Sequence, residues 1–424
     1  MFGWEFPPHI SGGLGTACYG LTKGMAVIPD LDILFVVPRA YGDEDQSRFR
    51  VLGAGDVTLD IRKVRNQDYL KDLSYMEIHS HILPYTTPDE YMEMVQKAEK
   101  SGQRLVETTI GGKIQFTGKY GPNLFDEIAN YAIVAGEIAQ KEPFDIIHAH
   151  DWLTFPAGIA AKKVSGKPLV IHVHATDFDR SGGSANPGVY EIERTGMHLA
   201  DKIIAVSNLT RNTIIEKYGV DPEKVVTVYN AVDPLPEDRK MELRRGITDK
   251  VVTFLGRVTL QKGPEYFVQA AHKVLQKMDN VRFVMAGSGE MLTRMIHWTA
   301  ALGITDRFHF TGFLKGDDVI RMFSISDVYV MPSVSEPFGI SPLEAMQSNV
   351  PSIISHQSGV SEILKYAFKV DFWDVDGLAD AIYGILNYPA LSKMFRKYGI
   401  KEVHDMKWED SGKRVHNVYK EFVK

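Results

Sequence analysis

The feature that most restricts the fold of this chain is an alternation, running through both halves, of short apolar runs with stretches of helical periodicity. In the first half the runs Ile146-Ile147-His148, Val170-Ile171-His172-Val173, Lys202-Ile203-Ile204-Ala205-Val206 and Val225-Val226-Thr227-Val228-Tyr229 read as strands. A helical stretch at 125–140 precedes them, and others at 191–200 and 209–218 lie between them. The second half repeats the pattern from Val251-Val252-Thr253-Phe254-Leu255 through Val328-Tyr329-Val330-Met331 to Phe368-Lys369-Val370. Strands joined by helices need crossover connections, which make neighbouring strands parallel and put helices on both faces of the sheet. The fold class is therefore α/β, with two Rossmann-like domains. At 424 residues the chain exceeds what one core ordinarily supports. The polar, proline-bearing run Asp233-Pro234-Leu235-Pro236-Glu237-Asp238-Arg239-Lys240 marks the division. The expected domains are 1–232, a linker at 233–249, 250–405, and a terminal helix within 406–424. The opening Met1-Phe2-Gly3-Trp4 reads as the end of a strand, so a late-assigned start or a truncation is expected.

A net charge of −6 provides no basic field for nucleic acid, so phosphate binding has to come from a local site. The single cysteine, Cys18, rules out an intrachain disulfide framework, fits a reducing cytoplasm and reads as a small buried residue. No apolar run approaches the roughly 20 residues of a membrane span.

Function concentrates where strand-like runs end. After Met331 the chain reads Glu336-Pro337-Phe338-Gly339-Ile340-Ser341-Pro342-Leu343-Glu344. A turn through Pro337 and Gly339 into a helix leaves the amides of Gly339, Ile340 and Ser341 at a helix N-terminus, where an anion is favoured. Glu344 lies about one turn further on, and Glu336 flanks the turn. Carboxylates repel phosphate but accept hydrogen bonds from hydroxyls, so a diphosphate with sugars on both sides fits. Glycines at Ser11-Gly12-Gly13-Leu14-Gly15 let backbone approach a ligand before another helix. Arg257 and Lys262 place two cations in one strand-end loop, and His150 and His174 stand at strand ends, where open α/β sheets bind ligands. Between 51 and 125 the pattern is irregular, with a polar helix expected at 89–100; such an insertion would suit an acceptor. Asp30-Leu31-Asp32 and Asp43-Glu44-Asp45 imitate metal-binding acidic triplets but read as solvated charges.

These pieces occur together and in order: Pro7-Pro8-His9-Ile10-Ser11-Gly12-Gly13-Leu14, His148-Ala149-His150-Asp151-Trp152, His174-Ala175-Thr176, Gly256-Arg257 with Lys262-Gly263, and two glutamates eight apart. In that order the chain resembles glycosyltransferases of the GT-B fold, specifically the retaining, glycogen synthase-like members of family 4. The resemblance implies two domains facing across a cleft, with the terminal helix packed back on the first. It also implies glucose transfer from UDP-glucose or ADP-glucose to the non-reducing end of an α-1,4-glucan or an oligosaccharide. Arg257 and Lys262 match the basic pair that neutralises the departing diphosphate, and Gly13 the loop glycine that closes over it. His150 matches the histidine that contacts the transferred glucose, Glu336 the carboxylate that holds its hydroxyls, and Glu344 the acid that binds the ribose. Gly12, Leu14, His174, Gly339, Ile340 and Ser341 complete the expected donor site. With two cations at the leaving group, no metal or other cofactor is expected. The alternatives are another acceptor, of sucrose, trehalose or lipid-linked type, and an inactive sugar-nucleotide-binding regulator.

Overall fold

The protein is described here from a computed structural model, over residues 1–59, 109–110, 112–235 and 248–423. The helix expected at 89–100 and most of the expected linker lie outside the described residues. The chain divides into two units. Met1–Phe178, Ser184–Asn230 and Trp408–Lys424 form the first, and Asp179–Gly183 with Ala231–Lys407 the second.

In the first unit, strands β1 (Leu34–Val37) and β2 (Arg50–Gly53) pair in parallel. A short antiparallel pair follows, β3 (Thr109–Ile110) with β4 (Lys113–Ile114). Strands β5 (Ile147–His150), β6 (Leu169–Val173), β7 (Lys202–Ala205) and β8 (Val225–Thr227) then form a parallel series in chain order. Phe2 joins the two parts, bridging in parallel to Val36 on one side and Ala149 on the other. The opening residues thus occupy the first-strand position of a sheet whose order is β2, β1, Phe2, β5, β6, β7, β8. Helices Leu124–Lys141 and Phe155–Ser165 pack on each other, and Ile128, Tyr131, Val134, Ala157 and Ala161 fill one core with Ile171 and Ile203.

The terminal helix Trp408–Tyr419 packs on Gly13–Met25 within this same unit. Glycine makes that approach possible. A Cβ on Gly24 would lie 2.3 Å from the carbonyl oxygen of Trp408, so a larger residue there would push the helices apart.

The second unit holds six parallel strands: β9 (Lys250–Leu255), β10 (Val281–Ala286), β11 (Phe308–Gly312), β12 (Val328–Met331), β13 (Ser352–Ser355) and β14 (Phe368–Val370). Their spatial order is β11-β10-β9-β12-β13-β14, the doubly wound 3-2-1-4-5-6 arrangement. Helices Pro264–Leu275 and Val375–Asn387 pack against each other, and Val252, Phe267, Phe283, Val330 and Ile382 are among the residues of a separate core. The helix Leu292–Ala301 was not anticipated from periodicity. Its apolar contribution to the buried core is Met295, fully covered, in a segment otherwise rich in exposed and polar positions.

In each unit the strand order reverses beside the first strand. The reversal falls between Phe2 and β5 in one, and between β9 and β12 in the other. The carboxyl ends of the strands that flank such a reversal are where doubly wound sheets take ligands.

Candidate active site

In the second unit both loops at the reversal carry expected site residues. The loop after β9 holds Arg257 and Lys262, and the loop after β12 holds Glu336. The structure brings the two loops into contact. Lys262 Nζ donates to Glu336 Oε2, and the backbone N–H of Val334 donates to the carbonyl of Gln261 at 2.9 Å. Glu336 is buried and held by its own backbone, donating to Gln357 and accepting from Gly359, each at 2.9 Å. Arg257 Nη2 donates to Oε1 of the buried Gln261 at 3.1 Å, which steadies the guanidinium at the loop.

Lys262 is followed by Gly263, whose φ of +63° is left-handed. A Cβ there would sit 2.1 Å from the carbonyl oxygen of Pro332, so the close approach of the two loops depends on this glycine.

The short helix after β12 starts at Ser341 with Pro342 in its first turn. Its opening amides have no acceptor one turn back, and Gly339, Ile340 and Ser341 are all half-buried. Glu344 lies within this helix, and burial pushes its carboxyl from 4.5 up to about 7. Beneath it stands Tyr329, a residue that reading β12 as simply apolar passed over. Its buried hydroxyl donates to the carbonyl of Leu255 at 3.3 Å and meets the Ser341 side chain. Burial first, and then the charge of Glu336, hold this phenol neutral. The available signal was a tyrosine inside an otherwise aliphatic strand, since a buried phenol needs a polar partner.

The first unit differs. Helix Gly13–Met25 begins at the glycine loop, but its N-terminus is already served by the chain itself. Oε2 of buried Glu5 accepts from Ser11 N at 2.9 Å, and Oε1 accepts from Gly15 N at 3.2 Å. These two amides are therefore not open to a phosphate. Gly12 and Gly13 stay accessible, with Leu14 half-buried behind them. A Cβ on either glycine would meet no atom within 4 Å, so packing within the chain does not require glycine at these positions.

His150 ends β5 and His174 follows β6. His150 Nδ1 and His174 Nε2 share a hydrogen bond of 3.0 Å. His148 stacks on His150 with ring centroids 4.4 Å apart, and His172 on His174 at 4.5 Å. Burial first, then the neighbouring imidazoles, push His148, His150 and His172 well below the usual histidine range, so these three are neutral. His148 Nδ1 is bonded to the Tyr419 hydroxyl of the terminal helix. Among the described residues, His150 Nε2 and both ring nitrogens of His172 are buried and meet no hydrogen-bond partner.

Thr154 holds the N-cap position of the helix after β5, but its side chain takes none of the helix amides. Thr154 Oγ1 donates to the carbonyl of His150 at 2.8 Å. Asp151 Oδ1 instead accepts from His174 N at 2.6 Å and from Ala175 N at 3.3 Å, tying the two histidine-bearing strand ends together. Glu44, expected to be a solvated charge, is buried, and its oxygens accept from Tyr41 N and Gly42 N at 2.7 and 2.9 Å. A short polar turn needs those amides satisfied, and the middle residue of the acidic triplet does it. Asp43 bonds His9 and Asp45 caps Ser47, so the triplet's carboxylates serve local contacts. Cys18 is fully buried, as expected.

Two doubly wound units with polar and charged residues at the sheet reversals form an architecture that solved structures share. The Anabaena protein HepE, solved in complex with UDP-glucose, matches with a TM-score of 0.64 over 97% of this chain and 97% of its own, at 16% identity. The fold is GT-B. Residues 104–234 match the model of Glycosyltransferase Family 4, and residues 237–402 that of Glycosyl transferases group 1. The chain thus resembles glycosyltransferases over two successive domain-sized stretches. An uncharacterized glycosyltransferase of Methanocaldococcus jannaschii is 27% identical over 99% of this chain and 97% of its own length. The UDP-Gal:alpha-D-GlcNAc-diphosphoundecaprenol alpha-1,3-galactosyltransferase of Escherichia coli is 26% identical over 68% of this chain and 78% of its own. Among the described residues no helix is long and apolar enough to cross a membrane.

Proposed function

We propose that this protein transfers glucose from UDP-glucose or ADP-glucose to the non-reducing end of an α-glucan, with retention and without a metal. The observation that carries the donor half is the contact of Lys262 with Glu336 at the reversal of the second sheet, with Glu344 one short turn into the next helix. In that arrangement Arg257 and Lys262 meet the negative charge that grows on the leaving diphosphate. A fixed donor aimed at such charge is worth about 10²–10³ in rate. Glu336, released from or shared with Lys262, accepts the sugar hydroxyls, and Glu344 accepts those of the ribose. The reading gives no carboxylate the role of nucleophile; as the resemblance implies, the departing phosphate assists the acceptor hydroxyl on the same face. His150, neutral and paired with His174, offers the transferred sugar a hydrogen bond without adding charge.

The acceptor half rests on the motif resemblance. A lipid-linked sugar is the second reading, and the similarity to the Escherichia coli galactosyltransferase favours it. One experiment addresses both halves. Each nucleotide-glucose is incubated, in the presence of a chelator, with glycogen, maltooligosaccharide, a lipid-linked sugar, fructose 6-phosphate and water, and released nucleotide and product are read. Glucan elongation with EDTA present supports the proposal. Transfer only to the lipid-linked sugar selects the second reading, and no turnover with any pair points to a regulator.

A further inference from the structure

The first unit contains a cluster of metal-ligating atoms that joins the two strand-end histidines to Cys18, a residue to which the proposed sugar transfer gives no role. Cys18 Sγ, on helix Gly13–Met25, lies 4.0 Å from His174 Nε2, which lies 3.0 Å from His150 Nδ1. One ligand atom from each of the three residues lies within 4.8 Å of those of the other two. A tetrahedral zinc ion, with Zn–N of about 2.0–2.1 Å and Zn–S of about 2.3 Å, separates two nitrogens by about 3.3 Å and a nitrogen from a sulfur by about 3.6 Å. The observed spacings fall within a few tenths of an ångström of those values, one short and one long.

A second set, His148, His150 and His172, is equally close. Its three ring planes, however, lie within 21° of parallel, and lone pairs in stacked parallel planes cannot converge on one ion. The planes of His150 and His174 are tilted by 32°, and His174 is the half-buried member through which an ion could enter.

We propose that Cys18, His150 and His174 form a binding site for a borderline-soft divalent cation of the zinc type, and that its occupation inhibits the transferase. One thiolate and two imidazoles suit zinc rather than magnesium or calcium, and three protein ligands leave a fourth position for water. Binding balances as follows. The Cys18 thiol loses its proton to solvent as the sulfur–metal bond forms. The proton shared between His150 and His174 moves to an outward ring nitrogen, so each imidazole stays neutral and one proton is released per ion. For His150 the outward nitrogen is Nε2, which is buried and has no hydrogen-bond partner among the described residues. The inhibitory part rests on the proposed role of His150 in holding the transferred sugar; the binding part does not.

The test uses the full chain stripped with a chelator and titrated with Co²⁺. The expected result is one strong site per chain, with a thiolate charge-transfer band and the visible bands of tetrahedral cobalt, displaced by Zn²⁺. Calorimetry in buffers of different ionisation enthalpy should count one proton released. Cys18→Ser and Cys18→Ala should each abolish the charge-transfer band and weaken Zn²⁺ by about 100-fold or more, since loss of even an outer-shell partner costs 10–100-fold. Unfolding curves of both variants verify that the fold is kept. Absence of the band in the wild type, or equal Zn²⁺ affinity in the wild type and a folded variant, overturns the site. Where transfer is measurable, Zn²⁺ should inhibit the wild type and spare the Cys18 variants. Cobalt binding without zinc inhibition overturns the inhibitory role, while the cobalt spectrum decides the site even if the chain transfers no sugar.

Discussion

The two sheet reversals share a topology and differ in their chemistry. At the first, between Phe2 and β5, buried Glu5 already satisfies amides at the helix start, and the histidines beside it are neutral. At the second, between β9 and β12, a lysine and a glutamate are paired, an arginine is steadied by a buried glutamine, and a further carboxylate has a raised pKa. The comparison teaches that a doubly wound sheet provides a place for a ligand but not its chemistry. Here the charged chemistry suited to a diphosphate belongs to the second unit, whereas the first offers neutral hydrogen bonding and open backbone.

That contrast breaks most visibly if the cations of the second unit are removed. Arg257→Ala is expected to lower kcat by about 10²–10³ with a smaller change in donor KM, because the arginine acts on charge present mainly in the transition state. Steady-state kinetics across donor concentrations measure both, and a kcat near that of the wild type would place the charge handling elsewhere. Lys262→Ala should be as severe, and it also strips Glu336 of its cation. Combining it with Glu336→Gln should therefore give a kcat within about tenfold of the worse single variant, because partners in one ion pair do not add. Multiplicative losses would mean that the pair seen here is irrelevant to turnover.

The fold was legible because parallel strands are buried on both faces and announce themselves as continuous apolar runs. Arg257, Lys262, Glu336 and Glu344 could be named because they follow the ends of such runs and fall in the order of a known family's motifs, whereas the strand order that makes these ends a reversal came only with the structure. What stayed hidden were contacts between residues far apart in sequence. Glu5 against Ser11 and Gly15, Tyr329 against Ser341 and Leu255, and His148 against Tyr419 leave no periodic trace, because a side-chain hydrogen bond depends on where two elements pack. Asp151 against His174 and Ala175 is of the same kind, a side chain bonded to the end of the neighbouring strand.

A third expected effect sharpens the contrast by pH. If Glu344 accepts hydroxyls as a carboxylate, donor affinity should rise as pH increases through about 7, by up to about tenfold between pH 6 and 8, and flatten in Glu344→Gln. The sign for stability is opposite. The folded chain holds a proton on Glu344 that the unfolded chain has lost between about 4.5 and about 7, so this group's contribution falls as pH rises through that window. Parallel pH profiles of donor KM in both proteins would remove Glu344 from the ribose. The smallest expected effect is on stability. Gly13→Ala, which adds a methyl into open space, should change unfolding free energy by no more than about 0.5 kcal/mol while raising donor KM. A clear loss of stability would show that the loop glycine serves the fold.

The assignment of diphosphate chemistry to the second unit is tested most directly by calorimetric titration of UDP and ADP into the wild type, Arg257→Ala, Glu344→Gln and Gly13→Ala, all verified as folded. The account predicts that at least one nucleotide binds the wild type, that Arg257→Ala and Glu344→Gln each weaken it about tenfold or more, and that Gly13→Ala weakens it less than either. Equal affinity in the wild type, Arg257→Ala and Glu344→Gln, or a larger loss in Gly13→Ala, would contradict it.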